Sequence, residues 1–203
     1  EVKTITIEDP IEVPMPFVTQ SQVNKRTGLT FAGALRAFLN QDPDIIYVSE
    51  TGDSETAQLT AEASLTGHLV LTTMLANDAP SVLSRLLDMG LKPYLIAATI
   101  IGIVAQRLCR RICDHCKEFY EVPARELIRF GLTPDDPDQT VTLARGKGCE
   151  KCRKRGYQGR ICLFELLVVT KDIADLIVNS ASQADIAAAA RAAVRPAAVQ
   201  PAA

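Results

Sequence analysis

Residues 44–49 form a short run of β-branched and aromatic side chains, almost all apolar, between Pro43 and Glu50. A run of this length and type predicts a strand buried in a parallel sheet rather than a half-exposed one. Residues 2–7 (VKTITI) alternate and predict another strand, ending in Glu8, Asp9 and Pro10. Residues 68–73 (HLVLTT) predict a third buried strand. Between these lie helical patterns. Phe31, Ala34, Leu35, Phe38 and Leu39 share one helical face behind Thr30, a capping residue. Asp53 or Ser54 caps a second helix with Ala57, Ala61 and Leu65 as its inward stripe, closed by Gly67. Asn77, Asp78 and Pro80 open a helix over 81–89, and Lys92-Pro93 opens an apolar one that runs to about Leu108. Pro10, Pro14 and Pro16 forbid a helix in the first long connection, so residues 13–23 read as an irregular loop or short hairpin. Alternation of strand and helix predicts a parallel sheet with helices on both faces.

The pattern changes near Arg107. Basic residues lead into Cys113 and Cys116, and a Pro-, Asp- and Gly-rich stretch leads on to Cys149 and Cys152. Residues 161–169 read as a strand, and 171–178 and 183–193 as helices. From Ala187 the chain is nearly all Ala, with few side chains able to build a core. The expected organisation is an α/β core over 1–108, a cysteine module over 109–160, and a strand-and-helix region over 161–203.

Composition narrows the function. The 203 residues are 47% hydrophobic, ample for a core, and the formal net charge of −2 gives no global attraction to nucleic acid. Residues 94–105 are the longest apolar run, too short to span a bilayer. The opening residues, charged and alternating like a strand, lead us to expect no export signal. Four of the six cysteines fall in two Cys-x-x-Cys pairs, which without such a signal favours zinc over disulfides. Each pair lets two thiolates reach one ion from a tight turn, and two pairs complete a closed tetrahedral site with Zn–S about 2.3 Å. Such a site is structural, having no open position. Cys109 and Cys162 read as plain buried residues, and His115 as a poor substitute ligand. The basic cluster Lys147, Lys151, Arg153, Lys154, Arg155 and Arg160 suits phosphate, a partner or lipid headgroups, or simply a solvated face.

Glu8, Asp9 and Glu50 are the other candidate chemistry. Acids at the C-terminal ends of adjacent parallel strands lie where open α/β sheets bind ligands. Two there can divide the work, one orienting water and one holding Mg²⁺ directly or through its water shell. The plain alternative is unrelated solvated acids. His68 is either a sensor of a γ-phosphate or, as lone histidines more commonly are, a hydrogen-bonded structural residue.

Four segments in order resemble the secretion ATPase superfamily, specifically the assembly ATPases of type II secretion and type IV pili. ITIEDPIE (5–12) resembles the family's Asp box, RAFLNQDPDIIYVSE (36–50) its Walker B segment, and TGHLVLTTMLANDAP (66–80) its His box. AQRLCRRICDHC (105–116), the second cysteine pair and GYQGR (156–160) resemble the tetracysteine module of the assembly branch, which the pilus retraction ATPases lack. The resemblance runs from Glu1 to about Ile186.

It implies a RecA-like fold in a cytoplasmic homo-hexamer, peripheral on the inner membrane. That hexamer uses ATP and Mg²⁺ to drive an inner-membrane platform protein and associated assembly subunits. Carried over by position, Glu8 and Asp9 belong to the Asp box, Glu50 is the acid that orients the attacking water, His68 is the first His-box histidine, and Cys113, Cys116, Cys149 and Cys152 hold Zn²⁺. The chain departs from the pattern in several places. It contains no G-x-x-x-x-G-K-[ST], the loop that cradles phosphates and that the family places upstream of the Asp box, so the chain is expected to begin after it. Ser49 stands for the family's Gly, Gly52 for its Arg, Leu75 for its second His and Ala76 for the following Thr. Two other readings remain: a degenerate, non-catalytic subunit of such a machine, and a zinc-ribbon nucleic-acid binder, which the net charge and few aromatics disfavour.

Overall fold

The computed structural model describes residues 2–132 and 136–193; the end of the Ala-rich tail, 194–203, lies outside them. The described residues divide into two compact units, 2–105 with 165–193, and a second one within 106–164.

In the first unit, strands β1 (Thr4–Glu8), β2 (Val18–Gln22), β3 (Ile45–Val48) and β4 (Leu69–Thr72) form one sheet in the order β2-β1-β3-β4. Every neighbouring pair is parallel. Ile5 pairs with Ile46 and Ile7 with Val48, so these four side chains share one face and are fully buried. Helix α1 (Phe31–Phe38) covers that face with Ala34, Leu35 and Phe38, and α2 (Ser54–Leu65) with Leu59 and Ala63. Both begin as the sequence predicts. Thr30 Oγ1 accepts the Gly33 N–H at 3.1 Å, and Asp53 Oδ1 accepts the Thr56 N–H at 2.8 Å.

Helix α2 is buried on two sides. Ala57 and Ala61 face a second cluster, built with α3 (Ala79–Asp88), α4 (Pro93–Thr99), α5 (Lys171–Val178) and α6 (Gln183–Ala193). Its centre is Leu83, Ile96, Leu167, Ile173 and Ile177. The expected inward stripe is therefore right for Ala57 and Ala61 and wrong for Leu65, which is 56% exposed. Residues 165–193 share this core through Leu167, Ile173, Ile177 and Ile186.

Three further expectations change. Residues 18–22 form a strand, not an irregular loop: Val18–Gln22 carries no proline, and β1 supplies its partner. The third strand is not buried, since β4 stands at the sheet edge and Leu69 and Leu71 are 43% and 51% exposed. The apolar helix stops at Thr99. Strand β5 (Gly102–Ile112) follows and pairs with β8 (Tyr157–Val168). The signal for this was Gly102 set among Ile100, Ile101, Ile103 and Val104, since β-branched residues favour extended backbone.

In the second unit, β6 (Lys117–Pro123) and β7 (Thr140–Gly146) form an antiparallel pair that brings the two cysteine pairs together, with Lys117 opposite Gly146.

Candidate functional site

Parallel pairing of β1 and β3 puts the acids at the same end of adjacent strands. Glu8 closes β1 and Glu50 lies just beyond β3. Their settings differ. Glu8 is 7% exposed, and its Oε1 accepts from Thr6 Oγ1 at 2.6 Å and from Gln20 Nε2 at 2.9 Å. Asp9 and Glu50 are exposed. The strand ends are tied by two bonds through Ser49: its N–H donates to Ile7 O at 2.9 Å, and its Oγ accepts the Asp9 N–H at 3.2 Å. The Ser49 carbonyl also accepts Thr73 Oγ1 at 2.5 Å, and Thr51 Oγ1 lies 2.8 Å from Thr72 Oγ1. One buried, oriented carboxylate and one free carboxylate beside it can hold a hard cation and direct a water. They are oxygen donors of the kind Mg²⁺ takes, but with Asp9 they do not close into a preformed three-ligand group.

Sequence reasoning missed Thr6, Gln20, Thr51, Thr72 and Thr73. The Gln20 signal was present, since Thr19 and Ser21 alternate with Gln20 and Gln22. Its use depends on β2 lying beside β1.

His68 is not brought to this end. It precedes β4, whose first residue pairs with the first residue of β3, so it stands level with Asp44, at the opposite end of β3 from Glu50. Its Nδ1 faces Ala63 O at 2.9 Å and Thr66 Oγ1 at 3.1 Å. A carbonyl partner requires the proton on Nδ1, and the ring ties the end of α2 to β4. Gly52 leaves Glu50 unhindered: a Cβ there would sit 3.5 Å from Glu50 Oε1, an ordinary contact. Leu75 is 70% exposed.

The second centre is in residues 106–164. The sulfurs of Cys113, Cys116, Cys149 and Cys152 lie within 4.8 Å of one another. Cys113–Cys149 is 4.0 Å, Cys116–Cys152 3.9 Å and Cys149–Cys152 3.8 Å. A zinc tetrahedron with about 2.3 Å bonds has sulfur–sulfur edges of about 3.8 Å, so the spacing and the all-sulfur donor set fit Zn²⁺. Backbone N–H groups point at the sulfurs, from Gly148 to Cys116 at 3.3 Å and from Cys149 and Gly156 to Cys152 at 3.2 and 3.3 Å. The Cys149 N–H is the largest influence drawing the Cys152 thiol down to about 6. Burial pushes Cys116 up to about 12. Two glycines make the close approach possible. A Cβ on Gly146 would sit 2.0 Å from Gly156 O, and one on Gly148, at φ +96°, 2.7 Å from Lys154 O. Cys109 and Cys162 are half-buried and outside the cluster. His115 is exposed, with Lys151 Nζ 3.4 Å from its Nε2.

The chain is 50% identical over 188 residues to the type IV pilus assembly ATPase PilB of Thermus thermophilus, covering 93% of this chain and 21% of that protein. It is 43% identical over 187 residues to type II secretion system protein E of Pseudomonas aeruginosa, covering 92% of this chain and 37% of that protein. The chain thus spans between about a fifth and two fifths of the curated relatives it matches. Among solved structures it resembles the pilus retraction motor PilT with bound ADP, with a TM-score of 0.61 and 28% identity over 88% of this chain and 42% of that one. A likeness to the Legionella pneumophila ATPase DotB, TM-score 0.56 at 23% identity over 96% of this chain and 44% of that one, shows the fold alone. Residues 1–202 match the family described as type II/IV secretion system protein, and the chain belongs to that family.

Proposed function

We propose that this chain is part of a hexameric ATPase motor that hydrolyses ATP with Mg²⁺ to drive pilus or pseudopilus assembly. The observation that carries the reading is the pairing of β1 with β3, which sets buried Glu8 beside exposed Glu50 at the ligand-binding end of a parallel sheet. Glu50 is free to orient the attacking water. Glu8, held by Thr6 and Gln20, takes the metal or its water shell, with Asp9 beside it. His68 serves as a structural post. Zn²⁺ on the four cysteines holds the module of residues 106–164. The expected partners are copies of the same subunit, an inner-membrane platform protein and the associated assembly subunits, with no specific nucleic acid. The cytoplasmic face of the inner membrane is the expected place, and among the described residues no helix is long and apolar enough to cross a membrane.

A second reading, a nucleotide-blind structural subunit, is favoured by Gly52 and Leu75, which stand where the resemblance places a charged Arg and His. Such groups contribute several kcal/mol of charge stabilisation, on the order of 3–4 each, when they face the reacting phosphates.

The test is Glu50→Gln in the full-length protein. We expect kcat for ATP to fall roughly 10²- to 10⁴-fold with little change in KM. Unchanged kcat would remove Glu50 from the mechanism. These 203 residues contain no G-x-x-x-x-G-K-[ST], so calorimetry on them alone should find ATP binding weaker than micromolar. Micromolar binding would mean another phosphate cradle exists.

A further inference from the structure

Residues 106–164 hold a second feature besides the four sulfurs. Arg110, Lys151, Arg153 and Arg155 line one cavity of about 560 Å³ together with Tyr157 and Gln158. The cavity is broadly open to solvent, so its lining rather than its volume indicates what it could take. No carboxylate lines the cavity. Among the described residues, ion pairs engage Arg36, Arg111, Arg125, Arg129, Arg145 and Lys147, and none of the four cavity cations.

Four like charges gathered without acids repel one another, so their placement needs support. The Arg110 guanidinium lies 4.2 Å from the centre of the Tyr157 ring, stacked over it. Arg155 Nε donates to Cys152 O at 3.4 Å. Arg153 and Lys154 both occupy the left-handed backbone region, at φ 52° and 59°. Two non-glycine residues stay there only when their surroundings impose it. Here the Arg153 N–H donates to Glu150 O at 2.9 Å and the Lys154 N–H to Cys149 O at 2.8 Å. The turn that carries the cations is thus set by the turn that carries the metal ligands.

One use of these cations is to balance the metal centre. Four thiolates around Zn²⁺ carry a charge of about −2, which two cations offset. Four line the cavity, so a surplus faces solvent. Because the turn's backbone N–H groups are bonded inward, recognition falls to side chains. Guanidinium forks pair with planar or tetrahedral oxyanions through two hydrogen bonds. A phosphate group puts up to about two charges and three acceptor oxygens in one place, which matches this density of cations better than a single carboxylate does.

We propose that this cavity binds a phosphate-bearing anion through Arg110, Lys151, Arg153 and Arg155. Soluble phosphates and lipid headgroups share that chemistry, and the test separates them. Zinc-loaded protein is titrated calorimetrically with tripolyphosphate, without Mg²⁺, at low and high salt. Saturable binding of one anion per chain is expected, weakening as salt screens the charges. The R110A/R153A double variant should bind at least about tenfold more weakly, a loss of about 1.4 kcal/mol or more. Arg125→Ala, an exposed arginine paired with Asp138, should change affinity less than about twofold, as expected of an exposed charge. Zinc content and circular dichroism report whether each variant is folded. Should the double variant lose zinc, Lys151→Gln supplies the same comparison. A parallel arm measures flotation with phosphatidylglycerol-containing vesicles against phosphatidylcholine alone. Vesicle binding that depends on these residues, without tripolyphosphate binding, assigns the headgroup. No saturable binding in either arm, or an equal loss with Arg125→Ala, overturns the proposal. None of these readouts involves ATP hydrolysis, so failure here leaves the motor reading standing, and the reverse.

Discussion

Residues 1–105 with 165–193 bury two clusters of large apolar side chains, one around Ile5, Leu35 and Ile46 and the other around Leu83, Ile96 and Ile173. Residues 106–164 bury almost none: their only fully buried apolar residues among those described are Cys113, Ala124 and Cys152. Phe119, Phe130 and Phe164 are each about two-thirds exposed. The first unit is held by exclusion of apolar surface from water, which is spread over many contacts. The second is too small in its interior for that, and its four-sulfur cluster is a ligand set of the kind through which a bound metal stabilises small modules. The candidate sites follow the same division. The acid end gathers Glu8 and Glu50 through strand register, whereas the four-sulfur centre is itself the interior of its unit.

Stripping metal from the four cysteines should separate the two units most sharply. Structural zinc in small modules contributes on the order of 10–16 kcal/mol of apparent binding free energy that doubles as folding energy. With a chelator, or in Cys149→Ser, hydrogen exchange should become fast throughout β6, β7 and the 149–156 turn. Amides of β1 and β3 should keep their protection. Loss of protection in both units together would show that the division is wrong. Ile46→Ala tests the other half. Truncating this fully buried side chain should cost about 2–5 kcal/mol in denaturant unfolding of the first unit, while zinc content stays at one per chain. A drop in zinc would couple the two.

Asp53→Ala probes a local contribution, at about 1 kcal/mol. The Thr56 N–H holds the Asp53 carboxyl below its usual 3.8. Its folded value is therefore the lower one, so the cap contributes fully above the usual value and fades as pH falls through the folded value. The difference between wild type and Asp53→Ala should be constant at neutral pH and shrink only in acid. A difference that grows in acid would contradict the cap.

Much of this was legible from spacing. Thr30, Asp53 and Asp78 cap helices because each can accept a bond from an N–H three residues on. The cysteine pairs declared their geometry because two ligands in one turn need nothing distant. Glu50 was legible from the strand it follows. The support of Glu8 was not, because Gln20 arrives from a strand whose existence depends on β1. The error over residues 100–108 has the same origin. An apolar run alone does not distinguish a helix from a strand, and the pairing of β5 with β8 supplied what the run lacked.

Local chemistry settled by itself the alternation of elements, the helix caps, the acids at two strand ends and a ligand set for zinc, since each depends on residues within a few positions. The tertiary structure alone decided that Glu8 is buried and oriented while Glu50 is free. It also set His68 at the far end of the sheet, left β4 an open edge, returned residues 165–193 to the first core and gathered four cations around Tyr157. Each of these depends on partners tens of residues away, and such pairings are chosen by packing and register across the whole chain rather than by any segment's own preference.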